Sequence, residues 1–252
     1  MDITLAIEKS LEQNAAVYYE KAKILRQKID GLKAALGKTA ETLSTTETKM
    51  PRKTIPHYQP PPAKKWFEKF RWFYTTSSKL AIGGRDATTN DILIKKHLEA
   101  HDLVFHTDIA GSPFFILKGG EHTSQDDLEV AQATALFSRA WRGGISEVKV
   151  YYVEAGQVSQ TAPSGEYLTK GGFMIYGKKN YLAANLEGGI TIRDGMLMCG
   201  PWEALKRNPS AIHFLPGDLK PSDAAKILKK RLSFDDLDAI IRALPAGGIK
   251  IL

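Results

Sequence analysis

The chain has 252 residues, of which 43% are hydrophobic and 25% charged, a composition typical of folded globular proteins that excludes a wholly disordered chain. Its single cysteine, Cys199, excludes a disulfide framework and a thiolate zinc site. Residues 1–65 hold 12 Lys/Arg against 7 Asp/Glu and so carry +5 of the net charge of +7, which makes nucleic acid the first partner class to consider. With no signal peptide and no long apolar run, we expect a cytoplasmic protein that does not enter a membrane.

The first predicted element is a long helix over 10–36. Apolar or small residues recur in alternating steps of four and three, at Leu11, Ala15, Tyr18, Ala22, Leu25, Ile29, Leu32 and Leu36. This is the repeat of a coiled-coil seam, with Ser10 as the N-cap and Gly37 at the far end. We therefore assign 1–50 to a coiled-coil segment that needs a partner helix; docking on its own domain is the alternative.

Residues 51–65 form a predicted linker. Five prolines favour extended geometry, and four Lys/Arg occur with no acidic residue among them. The segment is either a basic arm that contacts phosphates or a solvated spacer, and the sequence does not decide between them.

Residues 66–252 mix strand and helix signals without strict alternation, which predicts an α+β domain with a mixed or antiparallel sheet and flanking helices. The predicted strands are 70–75, 79–82, 103–108, 113–118, 148–153, 173–176, 190–193 and 196–199. The predicted helices are 89–98, a helix that starts with a capping box at Ser124 and runs to about Trp141, and short helices over 201–243.

The strongest signal for catalysis is a group of acidic residues around a histidine. On a strand, Asp102, His106 and Asp108 would share one face, which could ligate a divalent metal or support acid–base chemistry. No third metal ligand is suitably spaced, and phosphate-binding and nucleophile motifs are absent, so we expect a hydrogen-bonded His106–Asp108 pair, no metal, no cofactor and no enzyme activity. A metal-dependent nuclease centred on His106 and Asp108 is the alternative.

Basic residues interleaved with aromatic ones point instead to RNA. Lys64 to Tyr74 hold four cations and six aromatic rings; on a strand, Lys69 and Arg71 would face outward while Trp72 faces the core. Further basic candidates lie in a glycine-rich turn, on the outer face of a helix, at a helix end beside Trp141, and in a turn before Tyr181. The complete set of predicted RNA-binding residues is Lys69, Arg71, Arg85, Lys95, Lys96, Arg139, Arg142, Lys178 and Lys179, with Trp72, Asp102, His106, Asp108 and Trp141 shaping the site.

Several blocks resemble the C-terminal RNA-binding domain of the NFACT family. They include Trp66-Phe67-Glu68-Lys69-Phe70-Arg71-Trp72-Phe73, Ile82-Gly83-Gly84-Arg85-Asp86-Ala87, Gly111-Ser112-Pro113, Phe137-Ser138-Arg139-Ala140-Trp141 and Gly171-Gly172-Phe173-Met174-Ile175-Tyr176. Residues 14–22 resemble the start of that family's coiled coil, and 241–248 resemble its C-terminal tail.

The resemblance implies an RNA-binding module of a ribosome-associated quality control factor. Such factors bind tRNA and the rRNA of the large ribosomal subunit, and they promote template-free extension of stalled nascent chains, a reaction that the ribosome catalyses. The family's N-terminal domain does not occur in this sequence, so we expect a separate chain or a longer protein to supply it. A coiled-coil scaffold that contacts only protein is a further alternative.

Overall fold

The computed structural model describes residues 3–49, 65–145, 147–159, 161, 168 and 170–252. The chain divides into two compact units, Met1–Pro62 and Ala63–Leu252, which are described separately below. The predicted linker over 51–65 lies outside the described residues except for Lys65.

The first unit consists of one helix, α1 (Leu11–Lys49), with a short segment before it. The Ser10 hydroxyl accepts a hydrogen bond from the Gln13 amide at 3.2 Å, which confirms the predicted N-cap. The helix does not end at Gly37 as predicted, because a glycine inside a helix costs only about 1 kcal/mol and good helix formers flank it. The predicted seam is exposed: Leu25 and Leu36, for example, are 57% and 71% exposed.

The second unit is an α+β domain, which confirms the predicted class. It begins with a 3₁₀ helix over Trp66–Lys69. The strands are β1 (Arg71–Tyr74), β2 (Leu80–Gly83), β3 (Leu103–Thr107), β4 (Phe115–Leu117), β5 (Glu147–Glu154), β6 (Val158–Ser159), β7 (Met174–Ile175), β8 (Asn180–Asn185), β9 (Gly188–Arg193), β10 (Met196–Pro201), β11 (Ile212–Leu219) and β12 (Ile249–Ile251). The helices are α2 (Ala87–His97), α3 (Ser124–Leu136), α4 (Ala140–Gly143), α5 (Trp202–Leu205), α6 (Pro221–Leu232) and α7 (Leu237–Ala243).

Among the described residues the strands form two larger sheets and one small one, and every recorded pairing is antiparallel. The first sheet has the order β1-β2-β4-β3-β5-β8, the second has the order β10-β9-β11-β12, and β6 pairs with β7. Helix α3 packs against strands of both larger sheets, so its sides are buried almost all round. Its N-cap is Thr123 rather than the predicted Ser124, with Asp126 completing the capping box.

Four sequence predictions of local structure are wrong. Residues 66–69 form a 3₁₀ turn rather than a continuous strand with β1, and the helix predicted to reach Trp141 ends at Leu136. Strand β8 was not predicted, because the residues at its start were interpreted only as a basic turn. Strand β11 lies in the region 201–243, which was predicted to hold only short helices; it accommodates Pro216 at a shift in its register with β12.

Candidate nucleic-acid interface

A cleft of about 310 Å³ opens at one end of the first sheet, and it contains two of the predicted arginines. We call it the arginine cleft. It is lined by Arg71, Gly84, Arg85, Asp86, Ala87, Asn90, His106, Gly111, Ser112, Pro113, Phe114, Phe137, Tyr151, Lys170, Gly171, Gly172 and Phe173.

Strand pairing explains why these distant segments meet. Arg71, the first residue of β1, pairs with Gly83 at the end of β2, and Gly83 pairs with Phe115 at the start of β4. Phe115 pairs in turn with Phe105 near the end of β3. The loops after β2 and β3 therefore leave the sheet at the same end and form the walls of the cleft.

Two glycines allow these walls to approach each other. A Cβ on Gly84 would lie 1.8 Å from Oδ1 of Asn90, whose side chain accepts a hydrogen bond from the Phe114 amide. Gly171 has φ of +76°, and a Cβ there would lie 2.4 Å from the Ala87 carbonyl oxygen. Larger residues at either position would push apart the start of α2 and the facing loops.

Arg71 does not lie on an outward face of a strand, contrary to the sequence prediction. Its Nη1 donates to the carbonyl oxygens of Ala243 and Leu244, and its guanidinium lies 3.9 Å from the centre of the Phe137 ring. The prediction failed because both sides of β1 are covered: Trp72 and Phe73 point to opposite faces, and both are buried. Burial, with Arg85 nearby, lowers the pKa of Arg71 to about 10, so it remains a cation at pH 7.

Arg85 is held in the same way. Its Nη1 donates to the Arg242 carbonyl oxygen at 2.8 Å and its Nη2 to that of Phe70 at 2.9 Å. Burial and the charge of Arg242 lower its pKa from the ordinary value. In the unit Ala63–Leu252, no described arginine forms an ion pair with a carboxylate within 4.0 Å. The two arginines therefore bring positive charge to the cleft with only neutral partners.

His106 also lines the arginine cleft. Its Nε2 donates to the Ser112 carbonyl oxygen at 3.1 Å, since a carbonyl can only accept, and its ring stacks on Phe114 with 4.1 Å between centroids. Burial lowers the pKa of His106, so the ring is neutral at pH 7. The prediction was a hydrogen bond between His106 and Asp108, either direct or through a water. No direct bond is made, because β3 ends at Thr107 and the Asp108 carboxylate accepts from Lys179 and Tyr181.

A second basic region lies next to the cleft, and we call it the lysine turn: Lys178 and Lys179 with Asp108 and Tyr181. Lys179 Nζ donates to Asp108 at 3.0 Å and lies 4.1 Å from the centre of the Tyr151 ring, which also lines the arginine cleft. The Tyr181 hydroxyl donates to the other Asp108 oxygen at 3.2 Å. Although desolvation opposes the shift, the hydrogen bonds from Lys179 and Tyr181 lower the pKa of Asp108. The side chain of Lys178 is exposed.

The other predicted RNA-binding residues do not line the cleft. Lys95 and Lys96 are exposed in the last turn of α2, whereas the cleft lies at the first turn, and Lys95 pairs with Asp91 at 2.8 Å. Lys69 is exposed on the 3₁₀ turn. Arg142 donates to the Ala246 carbonyl oxygen at 2.7 Å, which fixes it to the C-terminal segment.

Arg139 lies closer to the cleft, although it does not line it. A Cβ built on Gly111, which does line the cleft, would lie 2.9 Å from Arg139 Nε, and Arg139 itself is exposed.

The predicted site-shaping residues take structural positions in separate places. Trp72 is buried against Phe67, and the indole of Trp141 is buried and donates to the Gly248 carbonyl oxygen at 2.9 Å. Asp102 is buried before the opposite end of β3 from His106, where it pairs with Lys118 at 2.6 Å.

Asp102, His106 and Asp108 therefore do not form one acidic site. Across the described residues, no group of three or more His, Cys, Asp or Glu side chains is placed to hold a metal ion. In the same part of the chain, no helix has the length and apolar character needed to cross a membrane.

Sequence reasoning missed several residues of the arginine cleft. Lys170, Phe173, Phe137 and Tyr151 all line it, yet none was singled out as a site residue. The run of a lysine and two glycines before Phe173 was a usable signal, because glycines permit a close backbone approach to a ligand. Nothing in the sequence pairs Phe137 with Arg71, which come together only through the packing of α3 on the sheet.

The domain matches a known family and known proteins. Residues 69–177 match the family model described as the NFACT protein RNA binding domain. The chain is 37% identical over 200 residues to the archaeal Rqc2 homolog aRqcH of Methanocaldococcus jannaschii, covering 75% of this chain and 30% of that protein. It is 36% identical over 200 residues to the ribosome quality control complex subunit NEMF homolog of Drosophila melanogaster, covering 76% of this chain and 20% of that protein.

The fold can also be compared with a solved structure, the C-terminal of the fibronectin/fibrinogen-binding protein from Streptococcus suis. It aligns at 19% identity and a TM-score of 0.40, covering 69% of this chain and 76% of that chain. The chain spans less than a third of the length of the two relatives above. From the family match and these relatives, the chain belongs to the NFACT family.

Proposed function

We propose that this chain is an RNA-binding module of a ribosome quality control factor. One observation carries the proposal: every residue that lines the arginine cleft lies within 69–177, the segment that matches the family's RNA-binding domain. The cleft presents two arginines with neutral partners, and arginine is the side chain best suited to the geometry of a phosphate. The Drosophila melanogaster relative carries ribosome quality control in its name, which supports the ribosome as the setting.

The finer proposal concerns the partners. We propose that the domain contacts tRNA and the rRNA of the large ribosomal subunit, and that it supports C-terminal tailing of stalled nascent chains. The ribosome would supply the chemistry, and a separate chain or a longer protein would supply the N-terminal NFACT domain. We further propose that this chain binds RNA without cleaving it.

Crosslinking tests these proposals. The full chain is irradiated with purified ribosomes and tRNA, and the crosslinked peptides are mapped. We expect peptides from 71–85 and 170–179 to carry RNA adducts. Adducts confined to other segments would place the RNA contacts outside the arginine cleft and the lysine turn. No adducts at any salt concentration would remove the RNA-binding role and favour a scaffold that contacts only protein.

A parallel incubation tests whether the chain is a nuclease. Labelled tRNA is kept with the protein and Mg²⁺ or Mn²⁺, with and without a chelator. We expect intact RNA in each arm and binding that survives the chelator. Cleavage that the chelator stops, and that Asp108→Asn abolishes, would establish the nuclease alternative instead.

Helix α1 leads to a separate proposal, that it pairs with another helix through its seam. Leu25, Ile29 and Leu32 are 50–65% exposed, and a single amphipathic helix gains most of its stability from packing its apolar face. Changing Leu25 and Ile29 to Glu should abolish association in sedimentation while residues 66–252 stay folded by circular dichroism. A wild-type chain that is monomeric, with α1 protected from protease, would instead favour docking on its own domain.

A further inference from the structure

The two arginines of the cleft are unusual in their charge environment. Both guanidinium groups line the same cleft, and the charge of Arg85 adds to burial in lowering the pKa of Arg71, yet both side chains donate only to backbone carbonyl oxygens. Buried or half-buried cations are normally paired with an acid, because removing a charge from water is costly. A site that places two cations together without an acid is built to receive an anion from outside.

The other charged groups around the cleft do not cancel this charge. Lys170 lines the rim and adds a third cation. Asp86 is the only carboxylate among the lining residues, and it accepts hydrogen bonds from the amide and hydroxyl of Thr89 as the N-cap of α2. The backbone hydrogen bond from Thr89 lowers the pKa of Asp86, so this carboxylate is committed to the helix. His106 is neutral, and the cleft therefore carries a net positive charge of two.

Arg85 also has an unused donor. Its Nε is buried and has no hydrogen-bond partner among the described atoms, although both terminal nitrogens are bonded. A buried donor without an acceptor destabilises the protein by roughly the cost of desolvating it. Because the Arg85 guanidinium lines the cleft, an anion bound there would offset part of this cost through its charge.

Part of the lining of the cleft is aromatic. Phe114 and Phe173 meet edge to face with 5.4 Å between their centroids, and Phe173 is only half-buried. A volume of about 310 Å³ is at the lower end of the range for small-ligand sites, so the cleft suits one nucleotide and excludes a duplex. Stacking on an aromatic ring and pairing of phosphate with cations are the two ways in which proteins hold single-stranded RNA.

We propose that the arginine cleft binds one unpaired nucleotide of an RNA strand, with its phosphate at Arg71 and Arg85 and its base against Phe173. This inference rests on the proposed RNA-binding function and narrows it to a single-stranded ligand and a defined site. The lysine turn then receives the neighbouring backbone, since Tyr151 borders both regions.

The test separates the phosphate from the base. Binding of adenosine 5′-monophosphate, adenosine and inorganic phosphate to the full chain is followed by nuclear magnetic resonance, with shifts expected at the amides of Gly84, Ser112 and Phe173. We expect the monophosphate to bind more tightly than phosphate and both to bind more tightly than adenosine.

Two cleft variants divide these contributions. Lys170→Glu should weaken the binding of the monophosphate and of phosphate alike, by about fivefold or more, because it reverses a charge at the rim of the cleft. Phe173→Leu should weaken the binding of the monophosphate by about fivefold or more and leave that of phosphate unchanged, because it removes the ring on which the base stacks. Lys230→Glu, an equal charge reversal at an exposed position of α6, is the matched control and should leave both affinities unchanged.

The arginines themselves need a fold control, because they also tie backbone segments together. Arg85→Lys keeps the charge but cannot form bidentate hydrogen bonds. It should therefore weaken the binding of the monophosphate while the variant retains a cooperative melting transition. The melting temperature of each variant is measured beside its affinity. If Arg85→Lys melts without cooperativity, Lys170→Glu and Phe173→Leu decide the question.

The outcomes distinguish this inference from the function on which it rests. If the wild-type chain binds a single-stranded oligonucleotide but Lys170→Glu, Phe173→Leu and Arg85→Lys bind it equally well, the cleft proposal is wrong and RNA binding stands. Equal affinity of phosphate and the monophosphate, unchanged in Phe173→Leu, would also overturn it. If the wild type binds no RNA at all, the proposed function itself fails.

Discussion

The arginine cleft and the lysine turn are two cationic regions of one surface, and they differ in what their cations contact. In the cleft, Arg71 and Arg85 donate to carbonyl oxygens, which leave the positive charge uncompensated. In the turn, Lys179 forms an ion pair with Asp108 at 3.0 Å, and the Tyr181 hydroxyl donates to the same carboxylate. The number of basic residues in a region therefore does not by itself give the positive charge that the region offers to an incoming phosphate.

The difference also separates the structural roles of the two regions. The arginine guanidinium groups link β1 and the loop after β2 to the C-terminal segment around 242–244, so they hold the domain together as well as carrying charge. The lysine turn lies at the surface, where an ion pair contributes roughly 0–1 kcal/mol. Changes in the cleft should therefore affect both folding and binding, and changes in the turn should affect binding alone.

The largest expected effect follows from removing Arg71. Arg71→Met should lower the free energy of unfolding by about 2 kcal/mol, because it removes charge-assisted hydrogen bonds to the Ala243 and Leu244 carbonyl oxygens and leaves them unsatisfied. Urea unfolding of the full chain measures this change in the free energy of unfolding. Lys69→Met, the loss of an exposed cation two residues earlier, is the control and should stay within about 0.5 kcal/mol of wild type. Equal stability of both variants would show that Arg71 serves only as a charge.

A smaller effect should appear in the pH dependence of folding. Burial lowers the pKa of His106 in the folded state below the ordinary value of 6.5, so the unfolded chain binds this proton more readily. The stability that this group contributes is complete above pH 6.5 and is lost as the pH falls through its folded pKa. His106→Gln should make the stability less dependent on pH in this window, whereas His101→Gln, at an exposed histidine, should not. Identical pH profiles for wild type and His106→Gln would contradict this.

The lysine turn allows the comparison to be tested within two neighbouring residues. Each phosphate contact on a single strand adds about 0.7 to the slope of log affinity against log salt. Lys178→Ala should lower that slope by about this amount. Lys179→Ala should lower it by less, because Asp108 already compensates Lys179. Filter binding of an oligonucleotide over a salt series measures both, and equal slopes for the two variants would mean that the ion pair opens when RNA binds.

The smallest expected effect is a gain in affinity. Asp108→Asn releases Lys179 and removes a negative charge beside the RNA path, so binding should tighten by about twofold to threefold at low salt and by less at high salt. Asp194→Asn, in the exposed turn between β9 and β10, removes the same charge elsewhere and serves as the control. A loss of affinity in Asp108→Asn would indicate that Asp108 positions Lys179 and Tyr181 for the RNA instead of competing with it.

Local patterns predicted much of the fold. The hairpin of β1 and β2, helix α2, the pair β3–β4 and the strand pair β9–β10 were all predicted, because each has either alternating or helical periodicity bounded by turn residues. Strands β11 and β12 were missed because prolines and charged residues dominate the local signal. Their strand geometry is imposed by pairing with each other and with β9, which no local window contains.

The sequence by itself determined the α+β class, the long first helix and the identity of Arg71, Arg85, Lys178 and Lys179 as candidate RNA contacts. Only the tertiary structure decided which of these cations is compensated and by what. Arg71 meets the carbonyl oxygens of Ala243 and Leu244 more than 170 residues along the chain, and Asp108 meets Lys179 across 71 residues. The charge that a side chain offers to RNA depends on neighbours brought together by strand pairing. Those neighbours cannot be identified from the spacing of residues along the sequence.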